Sequence, residues 1–263
     1  MDLGLKDRTI VVTGGTSGIG LASVRVFLED GARVALCARG AERLDSVVAN
    51  LSRDFGPDRV LGRAVSVLDA AAVSGFADEV RQTFGGCDAL VTNAGQGRVS
   101  TYADTSDADW REELELKFFS QLHPIRAFET MLRQSGSGAI VAVNSLLALQ
   151  PEPHMVCTSA ARAGVQNLLK SLATELAPQI RVNSILLGLV DSAQWQRRFE
   201  ARENKGQSRE EWFAALASAK AIPLGRLGQP QEPARAIAFL ASPAASYITG
   251  AKLEISGGVS RFA

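Results

Sequence analysis

The chain has 263 residues, 46% of them apolar and 21% charged, with 28 lysines and arginines against 28 aspartates and glutamates. This composition predicts a folded globular protein, and the even charge balance argues against a nucleic-acid binder, which carries a basic excess. No apolar run reaches the ~20 residues of a membrane-spanning helix, "MDLGLKDRTIVV" lacks the features of a secretion signal, and the cysteines Cys37, Cys87 and Cys157 have no metal-ligand spacing, so a cytoplasmic protein with reduced thiols and no metal is expected.

The first strand, "TIVVTGG", runs straight into a helix predicted over 18–30. Gly14, Gly18 and Gly20 stand at this junction. A side chain there would keep the backbone from a pyrophosphate, while the helix N-terminus offers free N–H groups and the positive end of its dipole. The first strand–helix turn is where a dinucleotide site belongs in an alternating fold. The second strand, "RVALCAR", ends in Ala38 and Arg39. An acidic residue here would bind a ribose 2′-hydroxyl and favour NAD(H); Arg39 suits a 2′-phosphate, so NADP(H) is the favoured cofactor.

A helix over 41–54, the strand "VLGRAVSV", a helix over 70–84 and the strand "DALVTNAG" follow. The fourth helix, 107–134, contains His123-Pro124, and the proline removes a backbone donor and is expected to bend it. His123 is read as structural. The strand "GAIVAVNS", a helix over 155–177, the strand "IRVNSILLG", a helix over 231–241 and the strand "GAKLEISGG" complete the pattern. Strand–helix alternation of this length predicts an α/β fold, a doubly wound parallel sheet with helices on both faces, in one domain spanning 1–263. The charged stretch 191–222 interrupts the pattern and carries two of the three tryptophans. It reads either as a lid over a substrate site or as a solvated helical excursion.

These residues resemble the short-chain dehydrogenase/reductases, in the group with a TGxxxGxG loop and an NAG motif. Thr13, Gly14, Gly18, Ile19 and Gly20 match the first, and Asn93-Ala94-Gly95 the second. "IRVN" at 180–183 and the tail from Ile222 to Gly250 extend the likeness over nearly the whole chain. The resemblance implies a Rossmann-like fold, a nicotinamide cofactor, a small carbonyl or alcohol substrate, and a homotetramer or homodimer built through the fourth and fifth helices and the C-terminal segment. By the same resemblance Gly14, Thr16, Ser17, Gly18, Ile19 and Gly20 surround the pyrophosphate. Val67 flanks the adenine, with Ser66 where the family usually has aspartate. Asn93, Ala94 and Gly95 pass the adenine ribose, and Gly188 and Val190 the nicotinamide amide, with Leu187 in place of a usual proline.

The catalytic pattern of the family, an Asn-Ser-Tyr-Lys tetrad, is kept only at Ser145. Thr158 stands at the tyrosine position, Arg162 at the lysine and Lys117 at the asparagine. A threonine hydroxyl is a far weaker acid than a phenol of pKa ~10. Arginine stays charged, so it can hold ribose hydroxyls or an oxyanion but does not relay protons. Losing a general acid typically lowers the rate about 10²–10⁴-fold, while each remaining oxyanion donor supplies about 10²–10³. Two titratable groups are candidates to replace the tyrosine. His154 lies between Ser145 and Thr158 and has an unperturbed pKa near ~6.5. Lys117 is expected beside Arg162, whose charge would depress its pKa, although an ion pair with Glu113 is an equally good reading. Tyr102 and Tyr247 are expected too far away, and a reactive role for Cys157 is a minor alternative. The sequence thus supports either an NADP(H)-dependent oxidoreductase with an altered proton donor or a non-catalytic NADP(H)-binding sensor or scaffold.

Overall fold

In a computed structural model, which describes residues 2–202 and 205–261, the strands run near-continuously apolar, as strands covered on both faces do. They are β1 (Thr9–Thr13), β2 (Arg33–Ala38), β3 (Val60–Ala64), β4 (Ala89–Thr92), β5 (Gly138–Ser145), β6 (Ile180–Leu187) and β7 (Lys252–Ile255). They form one parallel sheet in the order β3-β2-β1-β4-β5-β6-β7. The order reverses between β1 and β4, and in such sheets ligands bind outside the carboxyl ends of the strands at that switch point.

Successive side chains of each strand serve opposite layers. Val11 faces the layer made by α3 (Ala70–Phe84), α4 (Asp107–Gln134) and α5 (Val156–Glu175). Its neighbours Ile10 and Val12 face α1 (Gly18–Glu29), α2 (Ala41–Phe55) and α8 (Gln231–Ala241). Phe76 and Phe128 meet edge-on at 5.8 Å in the first layer, an arrangement that adds to the burial of their area. Local signals set the helix ends. Asp69 caps α3 by accepting the Ala72 N–H at 2.9 Å. At the other end of α3, Gly85 takes the left-handed conformation, with φ +83. Ser106 and Asp109 form a capping box that starts α4.

The fold matches the expected class, with one strand shorter than expected. The third strand ends at Ala64, so Val65 to Val67 run as open chain beside the groove described below. Helix α4 continues through Pro124 to Gln134: its packing on α3 and α5 outweighs the single amide that proline withholds. The stretch 191–222 contains two helices, α6 (Ala193–Ala201) and α7 (Arg209–Ala219), the second opened by a capping box of Ser208 and Glu211. Among the described residues no helix is long and apolar enough to cross a membrane.

Candidate active site

Two cavities open along the carboxyl edge of the sheet. The first, of about 590 Å³, is lined by Gly14, Thr16, Ser17, Ile19, Arg39 and Val67, with Asn93, Ala94 and Gly95 on its floor. Gly14 and Gly18 sit in the left-handed region, at φ +69 and +53. A Cβ on Gly18 would meet nothing within 4 Å, so the space above this backbone is open. Ser17 begins α1 without capping it through its side chain, which leaves the first amides of the helix to a ligand. These features fit a pyrophosphate. Gly20 is different: a Cβ there would lie 2.2 Å from the Gly14 carbonyl oxygen and 2.5 Å from Asn93 Nδ2. Gly20 allows α1 to pack on the loop, and neither it nor Gly18 is among the residues lining the cavity.

Asn93 and Ala94 fix this floor. Both donate their N–H groups to Thr13 Oγ1 at 3.0 Å, and Asn93 Nδ2 donates to the carbonyls of Thr13 and Gly14 at 3.0 and 3.1 Å. The loop after β3 is held in turn by His123, whose Nδ1 donates to the Val67 carbonyl at 3.0 Å. At the end of β2, Arg43 joins Arg39 at the cavity wall, both side chains exposed. Sequence reading passed over Arg43, although a second cation four residues after Arg39, in the first turn of α2, was a usable signal.

The second cavity, of about 880 Å³, is lined by Ser145, His154, Thr158, Arg162 and Gly188, among others. Gln96 of the first cavity and Gly97 of the second are adjacent in the chain. Ser145 ends β5 opposite Leu187 of β6. Its hydroxyl accepts the Leu147 N–H at 3.3 Å and donates to the Leu187 carbonyl at 3.4 Å. From α5, Arg162 donates through Nη1 to Asn144 Oδ1 at 3.2 Å, while its Nε is enclosed without a partner. Burial pulls the guanidinium down to about 10, against the opposing pull of Glu113, so it keeps its charge at neutral pH.

Thr158 is fully buried. Its hydroxyl accepts the Arg98 N–H at 3.1 Å and donates to the carboxylate of Glu113. The same carboxylate oxygen receives Lys117 Nζ at 2.7 Å, and that ammonium also donates to the Gln96 carbonyl at 2.6 Å. Burial, then the positive charge of Arg162, lowers the pKa of Lys117, with Glu113 opposing both. Lys117 therefore combines the two sequence readings, a buried ion pair and a depressed ammonium. It lines neither cavity. His154 sits at the rim of the larger cavity, about half exposed, with Nε2 3.2 Å from Glu152 Oε2. Glu113, at the centre of the buried group, was legible in the sequence only as an ion-pair partner four residues before Lys117.

The remaining candidates lie outside this group. Val190 is buried and pairs with Gly228 in an isolated bridge, lining neither cavity. Tyr102 and Tyr247 are exposed and also line neither. Cys157 is buried and unpaired. In the stretch 191–222, Trp195 lines the larger cavity. It packs on Trp212, which also meets Phe199 and Phe213, and Arg209 ties the base of α7 to Asp191 at 2.6 Å.

The profile of the family described as Enoyl-(Acyl carrier protein) reductase matches residues 14–260. The chain is 31% identical over 260 residues to a 3alpha-hydroxysteroid dehydrogenase of Mediterraneibacter gnavus, covering 96% of this chain and 97% of that one. Its fold superposes with a TM-score of 0.94 on the NADPH-bound short chain oxidoreductase of Pseudomonas aeruginosa, a protein described as containing an atypical catalytic center. That protein is 55% identical, with 98% of this chain and 100% of the other covered. L-sorbose reductase of Gluconobacter frateurii, complexed with NADPH and L-sorbose, matches with a TM-score of 0.95 at 33% identity over 100% of both chains.

Proposed function

The chain belongs to the short-chain dehydrogenase/reductase family, and on that premise we propose that it is an NADP(H)-dependent oxidoreductase of a small carbonyl or alcohol compound, with an altered proton donor. In this reading Gly14, Thr16, Ser17, Gly18 and Ile19 hold the pyrophosphate, while Gly20 shapes the loop. Arg39 and Arg43 take the 2′-phosphate. Val67, Asn93, Ala94 and Gly95 border the adenosine half, and Arg162 and Gly188 the nicotinamide half, with Val190 behind them in its bridge to Gly228. The bound nicotinamide supplies or accepts the hydride. NADPH in two similar structures supports this cofactor, as does the paired cation at the end of β2.

The chain's own groups then handle the substrate oxygen. Ser145 donates a hydrogen bond that orients it. Arg162 stabilises negative charge developing on it, with an Nε that has no partner to give up. His154 exchanges the proton with water at the rim. Lys117 acts from behind, where its ammonium, Glu113 and Thr158 fix the charge around Arg162. The observation that carries this reading is that Ser145, Arg162 and His154 line one cavity. The NADPH-bound relative with an atypical catalytic center lends it support. The stretch 191–222 serves as the lid, since its Trp195 lines that cavity.

The test is NADPH oxidation across a panel of carbonyl compounds, with wild type and the Ser145→Ala, Lys117→Ala and His154→Ala variants. Turnover falling about 10²-fold or more in Ser145→Ala and His154→Ala is expected. Turnover that all three substitutions leave unchanged removes these assignments. A second reading, a non-catalytic NADP(H) sensor or scaffold within a single domain, is favoured by the engagement of the Thr158 hydroxyl with Glu113 and the Arg98 N–H.

A homotetramer or homodimer through α4, α5 and the C-terminal segment fits the exposed Leu114 and Phe119 on α4 and Leu253 on the edge strand β7. Light scattering at working concentration tests it. Three unpaired, buried cysteines fit a reducing compartment such as the cytoplasm.

A further inference from the structure

The net charge of the chain is zero, yet the larger cavity is markedly positive. Arg162, Arg198, Lys220 and Arg261 line it, and among the described residues Glu152 is the only lining carboxylate. That carboxylate is already committed, because Lys220 Nζ lies 3.0 Å and His154 Nε2 3.2 Å from the same oxygen. Arg198 stacks on Trp195, with its guanidinium carbon 4.6 Å from the ring centroid. Such stacking orients the cation but does not neutralise it. Among the described residues neither Arg198 nor Arg261 has an ion pair, and the backbone N–H of Arg261 is fixed by Gln150 Oε1 at 3.1 Å. At the floor, Arg162 keeps one enclosed donor, Nε, without a partner.

Like charges gathered in a low-dielectric cleft destabilise it unless an opposite charge enters. Cations left without carboxylates also meet the requirement for a bidentate anion partner. We propose that the substrate of this cavity is an anionic carbonyl or alcohol compound, its carboxylate or phosphate held by Arg198 and Arg261 at the mouth while its reacting oxygen reaches Ser145. This rests on the oxidoreductase reading of the same cavity. Trp195 beside Arg198 offers an apolar wall for the segment joining the two ends.

The test is a calorimetric titration of the NADPH-loaded protein, and of the protein alone, with 4-benzoylbutyrate against its methyl ester, and with dihydroxyacetone phosphate against dihydroxyacetone. The anion of at least one pair binds about tenfold or more tightly than its neutral counterpart, and added salt narrows that preference. The pair that shows it distinguishes carboxylate from phosphate. Arg198→Gln and Arg261→Gln each reduce the preference about tenfold, the size of one charge-assisted hydrogen bond. Equal binding of acid and ester and of phosphate and alcohol, or no binding at millimolar concentration, overturns the proposal. So does a preference that both arginine variants retain. Preferential anion binding without NADPH oxidation keeps the anion site and removes the oxidoreductase reading, so the two failures are separable.

Discussion

Glu113 on α4 accepts the hydroxyl of Thr158 on α5 across 45 residues of chain. The bond commits the hydroxyl at the usual tyrosine position to the interface between the two helices, although Thr158 itself still lines the larger cavity. It also places a carboxylate where it pairs with the buried ammonium of Lys117. The altered positions are therefore coupled: a threonine, a lysine and a glutamate share one buried oxygen.

Removing that carboxylate should cost far more than removing the hydroxyl. Glu113→Gln leaves Lys117, only 6% exposed in its side chain, as a buried cation without its counter-charge, and about 3–5 kcal/mol of stability should be lost. Thr158→Val removes the hydroxyl's bonds to Glu113 and to the Arg98 N–H and leaves that N–H without its acceptor, for about 1–3 kcal/mol. Urea denaturation of both variants checks the order, and equal losses would show that the ion pair is not the dominant interaction.

The two glycines of the phosphate loop should respond differently. Gly18→Ala has open space and suffers only the left-handed backbone, about 1–2 kcal/mol. Gly20→Ala drives a methyl into the Gly14 carbonyl, so the loop must move, at about 3 kcal/mol or more. Melting temperatures give the comparison, and a Gly20→Ala protein as stable as Gly18→Ala contradicts the packing described above.

The pair Thr158→Tyr with Arg162→Lys separates the two functional readings. An active wild type built on Ser145, Arg162 and His154 should lose turnover in the double variant, because Arg162 is removed from the reacting oxygen. A silent wild type that gains turnover would favour the sensor or scaffold reading. Initial rates of NADPH oxidation decide between them.

Acid stability should depend on Glu232. Its hydrogen bond to Arg226, then the Gln229 N–H at 2.6 Å, lower its pKa from 4.5 to about 2. A carboxylate depressed on folding stabilises fully above its unfolded pKa and loses that contribution as the pH falls through its folded value. The stability gap between wild type and Glu232→Gln should therefore be constant above pH 4.5 and close between 4.5 and about 2. A gap that widens with acid would reverse the sign. With the side chain 37% exposed, solvent screening keeps the effect small.

The fold was legible because its signals are local and repeated: β-branched strands, helices of regular spacing, glycines at one crossover. The groove was legible for the same reason, since Gly14, Asn93 and Arg39 lie in short continuous motifs. The larger cavity was legible only in part. Ser145, Thr158, Arg162 and Lys117 could be located by spacing. Nothing in the spacing revealed that Thr158 would turn its hydroxyl to Glu113, because that choice depends on the packing of α4 against α5. The positive mouth was hidden for a similar reason: Arg198 and Lys220 of the 191–222 stretch meet Arg261 and Arg162 of other segments only in the folded chain.

The central claim is that the glycine-bared loop binds a dinucleotide and the cations after β2 recognise its extra phosphate. Isothermal titration of the purified protein with NADPH and with NADH tests it most directly. NADPH should bind at least about tenfold more tightly, with Arg39→Ala removing most of that advantage. Equal affinities, or no binding of either nucleotide, would contradict it.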